Sequence, residues 1–214
     1  MIITNSKVIM VGNPVAKAAL TELRDKRVSG AEFRRASDCA ASFLAQRVSS
    51  EIEQEFCSVV TPLAEMMGHT VCDEKVVLAP VIRAGEALLA AFWTVMPAAR
   101  VHHIGIERDE QDASPHSYYP RKGDRRIKPG EWAILLDPML ATGGSAAFAI
   151  ESLKRAGASR ISFANVIASQ EGIDLIAAKF PDVTIYTLAV DPTLNAQKYI
   201  VPGLGDYGDR YFGT

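Results

Sequence analysis

From residue 76 onward the chain is written in short, almost wholly apolar runs that alternate with helical segments, and this alternation constrains the fold more than any other feature. A run that is apolar at every position is a strand buried on both faces, which calls for a mostly parallel sheet covered by helices. Val76 to Ile82, Val101 to Ile106, Trp132 to Leu136, Ile161 to Ala168 and Val183 to Val190 are the five runs. Between them, Glu86 to Val95 reads as a helix closed by Pro97, Ser145 to Ala156 as a helix with Gly157 just past its end, and Glu171 to Phe180 as a helix bounded by Pro181. The expectation is an α/β fold with a mostly parallel five-stranded sheet flanked by helices. Ligands of such sheets sit beyond the carboxyl ends of the strands.

Two amphipathic helices are expected ahead of this body. Asn13-Pro14 is a cap followed by a proline that the first turn tolerates, with Val15, Ala18, Ala19 and Leu23 on one face. Ser29-Gly30-Ala31-Glu32 has the form of a capping box, and Phe33, Ala36, Ala40, Phe43 and Leu44 track one face after it. With 214 residues, one domain over 1–214 is expected, with a helical layer over residues 1–60.

Hydrophobic residues make up 48% of the chain and charged residues 22%, close to the globular average, so disordered and low-complexity classes are excluded. The formal net charge of −2 argues against a whole-protein grip on nucleic acid or an anionic membrane. The longest strongly apolar stretch, Ala87 to Met96, is about half of a bilayer span. The start, Met1-Ile2-Ile3-Thr4-Asn5, lacks a basic region leading into a long apolar one, so a cytoplasmic protein is expected. Cys39, Cys57 and Cys72 form no C-x-x-C pair and read as inert thiols. His102 and His103 have no Cys or carboxylate partner at a metal-ligand spacing.

Two stretches break the α/β pattern. Residues 107–130 are polar and hold Pro115, Pro120, Gly123, Pro129 and Gly130, which reads as a flexible flap or hairpin over a site. In the tail, Gly203, Gly205, Gly208 and Gly213 place four of the 15 glycines within the last 12 residues, a density that suits close approach of backbone to a ligand.

The chemistry is concentrated in Trp132-Ala133-Ile134-Leu135-Leu136-Asp137-Pro138-Met139-Leu140-Ala141-Thr142-Gly143-Gly144-Ser145. A buried strand ends at an acid, passes a turn of small residues and opens into a helix. The N–H groups of Ala141 to Ser145 can then converge on a phosphate, aided by the helix dipole and by two hydroxyls. Asp137, beside that cradle, is placed to accept hydrogen bonds from sugar hydroxyls. Phosphate plus ribose is the implied ligand. No lysine follows Gly143-Gly144, so a Walker A loop is not supported. Gly203-Leu204-Gly205-Asp206-Tyr207-Gly208 satisfies G-x-G-x-x-G, but it follows Pro202 and precedes the polar Asp209-Arg210; no helix is expected there, and a dinucleotide site is set aside.

Leu136-Asp137-Pro138-Met139-Leu140-Ala141-Thr142-Gly143-Gly144-Ser145 resembles, nearly residue for residue, the phosphoribosyl pyrophosphate (PRPP) loop of the uracil phosphoribosyltransferases, a family of the type I phosphoribosyltransferase fold. Pro80-Val81-Ile82-Arg83-Ala84-Gly85 resembles the family's first site loop, Glu107-Arg108-Asp109-Glu110 the start of its flap, and Tyr199 to Asp206 with Phe212-Gly213-Thr214 its base-binding tail. Phe33-Arg34 and Thr61-Pro62 match the amino-terminal region. Asp137-Pro138 is the most telling pair, since other members of the fold usually carry two adjacent acids there.

The resemblance implies transfer of the 5-phosphoribosyl group from PRPP to uracil, giving UMP and diphosphate, with Mg2+ carried in on the donor and no metal ligand of the protein's own. It assigns Asp137, Pro138, Met139, Leu140, Ala141, Thr142, Gly143, Gly144 and Ser145 to PRPP, together with Arg83, Arg108 and Asp206. Uracil falls to Ile200, Gly205, Asp206 and Tyr207 in a hood formed by residues 191–214, and catalysis to Asp206 and Arg108. Arg83 and Arg108 suit a pyrophosphate because the guanidinium fork matches its oxygens. Pro115, Tyr118 and Tyr119 keep the family's aromatic pair, and Arg121, Lys122, Arg125, Arg126 and Lys128 form a basic run, either solvated or in contact with pyrophosphate or an effector. Tyr207, Glu86-Ala87-Leu88 and Pro120-Arg121-Lys122 depart from the commoner family pattern. Relatives suggest a homodimer or a tetramer and a GTP effector. Two alternatives stand beside this reading, a pyrimidine-sensing RNA-binding regulator and a non-catalytic nucleotide-binding homologue. The net charge counts against the first and the presence of Asp206 against the second.

Overall fold

All five apolar runs become strands at the centre of one sheet. The structure, a computed structural model, describes residues 8–108, 115–119 and 126–214, with residues 107, 108 and 115–119 described by their backbone. In chain order these form β1 (Val8–Met10), α1 (Pro14–Arg24), α2 (Gly30–Ser49), β2 (Gln54–Val60), β3 (Glu65–Val71), β4 (Val76–Ile82), α3 (Glu86–Val95), β5 (Arg100–Val101), β6 (Ile104–Arg108), β7 (Pro115–Tyr119), β8 (Trp132–Leu136) and β9 (Met139–Leu140). α4 (Gly144–Ala156), β10 (Arg160–Ser169), α5 (Gln170–Lys179), β11 (Thr184–Asp191), β12 (Thr193–Leu194), β13 (Ile200–Val201) and α6 (Tyr207–Phe212) complete them.

The main sheet runs β1-β11-β10-β8-β4-β6-β7, with β5 on β4 and β9 on β10. The expected five strands are its interior, but the sheet is wider than five. The short β1 adds a parallel edge beside β11, and β7 adds an antiparallel edge beside β6. Three residues of β1 are too few to show a period, and β7 lies in the stretch read as a flap or hairpin. The expected strand over 101–106 is split, with Arg100–Val101 pairing with the start of β4 and Ile104–Arg108 with its end.

Because β4 and β8 are buried on both faces, successive residues feed opposite layers. Leu78 and Leu136 belong to the core shared with α1, α2 and α3, and Val77, Ala79 and Leu135 to the core beneath α4 and α5. The first helix is capped as its sequence implies, Asn13 Oδ1 accepting from the N–H groups of Val15 and Ala16. The helical layer ends at Ser49, however, and β2 and β3 form a separate antiparallel hairpin. Both strands of it are largely exposed, so neither the burial pattern nor a polar–apolar alternation announces it. Among the described residues no helix is long and apolar enough to cross a membrane.

Candidate active site

From β4 the chain passes through α3 to β6 on one side of the sheet; from β8 it passes through α4 to β10 on the other. The two connections diverge above the β4–β8 pair, and a crevice opens beyond their carboxyl ends, as the doubly wound rule requires. A cavity of about 340 Å3 lies there. Asp137 and Met139 through Ser145 line one wall, and Lys198, Tyr199, Ile200 and Gly205 through Gly208 another, with Ala84 from the loop after β4.

The wall from Asp137 to Ser145 is held from behind by main-chain bonds. Asp137 N–H donates to the Ala164 carbonyl at 3.3 Å, and the Pro138 carbonyl accepts from Val166 and Ile167 at 3.0 and 3.1 Å. Met139–Leu140 then runs as β9 alongside Ile167 and Ala168. Ser169 locks the far side, donating to the Ala141 carbonyl while its Oγ accepts from Gly172 N–H at 2.9 Å. Gly143 must be glycine: it has φ +84, and a Cβ there would meet the Leu175 side chain at 2.8 Å. As the residue preceding α4 it supplies no capping side chain, and the first turn of α4 carries no acid. Gly144 N–H reaches Thr142 Oγ1 at 3.4 Å, and the N–H groups of that first turn, with the helix dipole behind them, suit an anion. Asp137 is buried at the rim of this cradle, its Oδ1 accepting from Met139 N–H at 3.3 Å.

The tail wall is a tight turn followed by a helix, which corrects the expectation that no helix fits after Gly205. Asp206 caps α6, its Oδ1 accepting from Asp209 N–H at 2.9 Å. The six-residue α6 is no crossover helix, so a dinucleotide site remains unsupported on other grounds. Tyr207 lines the cavity, but its side chain is committed elsewhere. The ring meets Phe33 edge-on at a centroid distance of 5.1 Å, and the hydroxyl donates to Ser37 Oγ at 2.6 Å. Burial pushes that hydroxyl well above the usual phenol range, so it stays protonated.

Of the expected PRPP and uracil residues, Asp137, Met139 to Ser145, Ile200, Gly205, Asp206 and Tyr207 are thus brought together around one cavity. Pro138 and Arg83 do not line it. Arg83 lies over the tail, 3.6 Å from Asp209 Oδ1 and 6.0 Å from the Phe212 ring. Next to it, Gly85 lets α3 start against the sheet, since a Cβ would lie 2.3 Å from the Leu136 carbonyl. Arg108 closes β6; its side chain, those of Pro115, Tyr118 and Tyr119, and the residues Asp109, Glu110, Pro120, Arg121, Lys122, Gly123 and Arg125 lie outside the described residues. Gln197 and Lys198 line the cavity without any signal in the sequence, and Gly208, one of the four tail glycines, lines it too. Lys198 has φ +66, a geometry that a lysine in the sequence does not announce.

Among the described residues no group of three or more His, Cys, Asp or Glu is placed to hold a metal ion. The two carboxylates on the cavity, Asp137 and Asp206, come from opposite walls. Asp137 and Asp206 are the carboxylates that a cation entering the cavity would meet.

Comparison with known proteins places this geometry. The family model described as uracil phosphoribosyltransferase matches residues 10–214. A uracil phosphoribosyltransferase from Finegoldia magna is 42% identical over 212 residues, 98% of this chain and 99% of that one. A solved protein from Aquifex aeolicus superposes with a TM-score of 0.88 at 30% identity, covering 97% of this chain and 98% of that one. A hypoxanthine-guanine phosphoribosyltransferase from Bacillus anthracis, at 12% identity and a TM-score of 0.50 over 76% of this chain and 80% of that one, shares the fold alone. With a family model spanning nearly its whole length and a relative 42% identical across it, the chain belongs to the uracil phosphoribosyltransferase family.

Proposed function

We propose that the chain transfers the 5-phosphoribosyl group of PRPP to N1 of uracil, forming UMP and diphosphate. The observation that carries this reading is the single cavity with a phosphate cradle on one wall and a glycine-rich, main-chain wall on the other. The N–H groups of Ala141 to Ser145 hold the 5′-phosphate and Asp137 takes the ribose hydroxyls. Arg83, leaving its loose contact with Asp209, and Arg108 pair with the diphosphate. Ile200, Gly205 and the main chain of Tyr207 read the base, and Asp206 acts on it through water. A base with reversed donors and acceptors leaves those buried groups unpaired and is rejected.

No nucleophile is needed from the protein. As the diphosphate leaves, the sugar becomes oxocarbenium-like, and the protein's task is positioning and stabilising the departing charge. Mg2+, where bound with the donor, supplies charge neutralisation on the diphosphate. Asp206→Asn keeps an N-cap side chain, so the fold stays intact while turnover falls by about 10²- to 10³-fold.

The functional unit is a homodimer, which can pair further into a tetramer. The support is the β2–β3 hairpin, where Phe56, Val60 and the tip residue Leu63 are 74%, 84% and 96% exposed. A two-stranded hairpin is marginal in water by itself, and apolar side chains at its tip call for a cover. A cytoplasmic site of action suits the three free thiols.

The test is diphosphate release from PRPP by the purified protein, expected only when uracil and Mg2+ are both supplied. Better use of cytosine, orotate or hypoxanthine than of uracil would overturn the reading. The same assay with and without GTP reads the effector.

A further inference from the structure

We propose that Arg24 and Asp191, neither of which lines the cavity, form a positioning pair that sets the main chain reading the base. The inference rests on the reading of the tail as the base-binding wall. Arg24 is the last residue of α1 and Asp191 the last of β11, 167 positions apart in sequence. The guanidinium engages the carboxylate with both prongs, Nη1 to Oδ2 at 2.8 Å and Nη2 to Oδ1 at 2.7 Å. Both partners also hold Gly203. Asp191 Oδ2 accepts from Gly203 N–H at 2.8 Å, and Arg24 Nη1 donates to the Gly203 carbonyl at 2.9 Å.

Every main-chain polar group of Gly203 is therefore fixed by one ion pair. Gly203 is the centre of the turn that brings Ile200 and Gly205 to the cavity: it has φ +59, and a Cβ on it would lie 2.0 Å from the Ile200 carbonyl. The pair thereby fixes the Pro202–Gly203 and Gly203–Leu204 peptides, while Arg210 Nη1 holds the Leu204 carbonyl of the next one at 2.6 Å, so the pair sets the direction in which the chain enters Leu204 and Gly205. Asp191 is 5% exposed, and burial pushes its carboxyl up; the hydrogen bonds from Arg24 and Gly203 outweigh this and hold it below its usual range. The pair is thus charged at neutral pH, and the bonds it gives the turn are charge-assisted and geometrically specific.

The experiment is a split of Michaelis constants at a temperature well below unfolding. Asp191→Asn keeps shape and one acceptor but loses the charge; the expected result is a rise in the uracil KM of about 10- to 100-fold, the equivalent of a lost charge-assisted hydrogen bond. The PRPP KM stays within about twofold, because the phosphate loop is held by β10 and α5 and not by this pair. Arg24→Lys keeps the charge without the fork and is expected to give an intermediate uracil KM; it also serves if Asp191→Asn does not fold. A merely structural pair would lower the folded fraction and leave both constants unchanged, and that result overturns the proposal. Wild-type protein that ignores uracil overturns the underlying reading instead, so the two failures are distinguishable.

Discussion

Two regions leave the sheet, and they end differently. The tail from residue 191 has the composition of a loose terminus, yet it is fastened to the helical layer by buried polar groups of the same chain. Arg210 lies over the Phe33 ring and donates to the carbonyls of Leu23, Leu204, Asp25 and Val28. Tyr207 reaches Ser37, and Arg24 with Asp191 holds Gly203. The β2–β3 hairpin has the composition of ordinary strand, with Phe56, Val59, Val60, Met66, Met67 and Val71, yet these side chains face outward. Among the described residues this apolar surface stays open, whereas the glycine-rich tail finds its partners. Composition describes how much a segment can bury; only the fold decides against what.

The comparison can be broken most sharply at the hairpin. If a second copy covers it, placing charge at its exposed positions with Phe56→Glu and Leu63→Glu together weakens self-association by about 100-fold or more, consistent with loss of interface anchors. Sedimentation velocity across a dilution series checks this. An unchanged distribution of species would leave the hairpin finished as it stands and cancel the contrast with the tail.

A smaller effect is expected from acid. A carboxyl whose folded pKa lies below its unfolded value binds fewer protons in the folded state, so stability is full above the ordinary carboxylate range near pH 4 and is lost as pH falls through the lowered folded value. Asp191→Asn has no such group at that position. Its deficit relative to wild type, about 2 kcal/mol at pH 7 for a lost charge-assisted bond, should shrink toward pH 3. Denaturant melts at the two pH values measure it, and a deficit that does not depend on pH would detach Asp191 from the anchoring.

The smallest effect belongs to Tyr207→Phe. It removes the donor to Ser37 Oγ but keeps the ring against Phe33, and should cost about 1 kcal/mol with uracil turnover retained. Strong loss of uracil binding in a protein of unaltered stability would instead return the Tyr207 hydroxyl to the base site.

Much of the fold was legible because it follows from local rules. The strands Val76–Ile82 and Trp132–Leu136 and the helix Glu86–Val95 lie at the boundaries expected from continuous apolar runs and from Pro97. The strand, turn and helix start between Trp132 and Ser145 were legible for the same reason, since one short stretch builds them. The base wall was legible only in part. Asp206 and Gly205 were named for it, but Asp206 as the cap of α6 escaped notice because a six-residue helix at a glycine-rich end shows no periodicity. Tyr207 was placed near the base, whereas its hydroxyl turns to Ser37, 170 positions away.

By itself the sequence determined the α/β alternation and the strand, turn and helix start between Trp132 and Ser145, because each depends on neighbours a few residues apart; that Gly85 lies against Leu136 and Gly143 against Leu175 was decided by the fold. Tertiary structure alone decided that Arg24 meets Asp191, that Arg210 gathers carbonyls of the α1–α2 connection, and that the hairpin presents its apolar residues outward. Those pairings cross long separations in the chain. Their energy comes from burial and charge that exist only once the sheet has brought the segments together, and no spacing rule along the sequence encodes them.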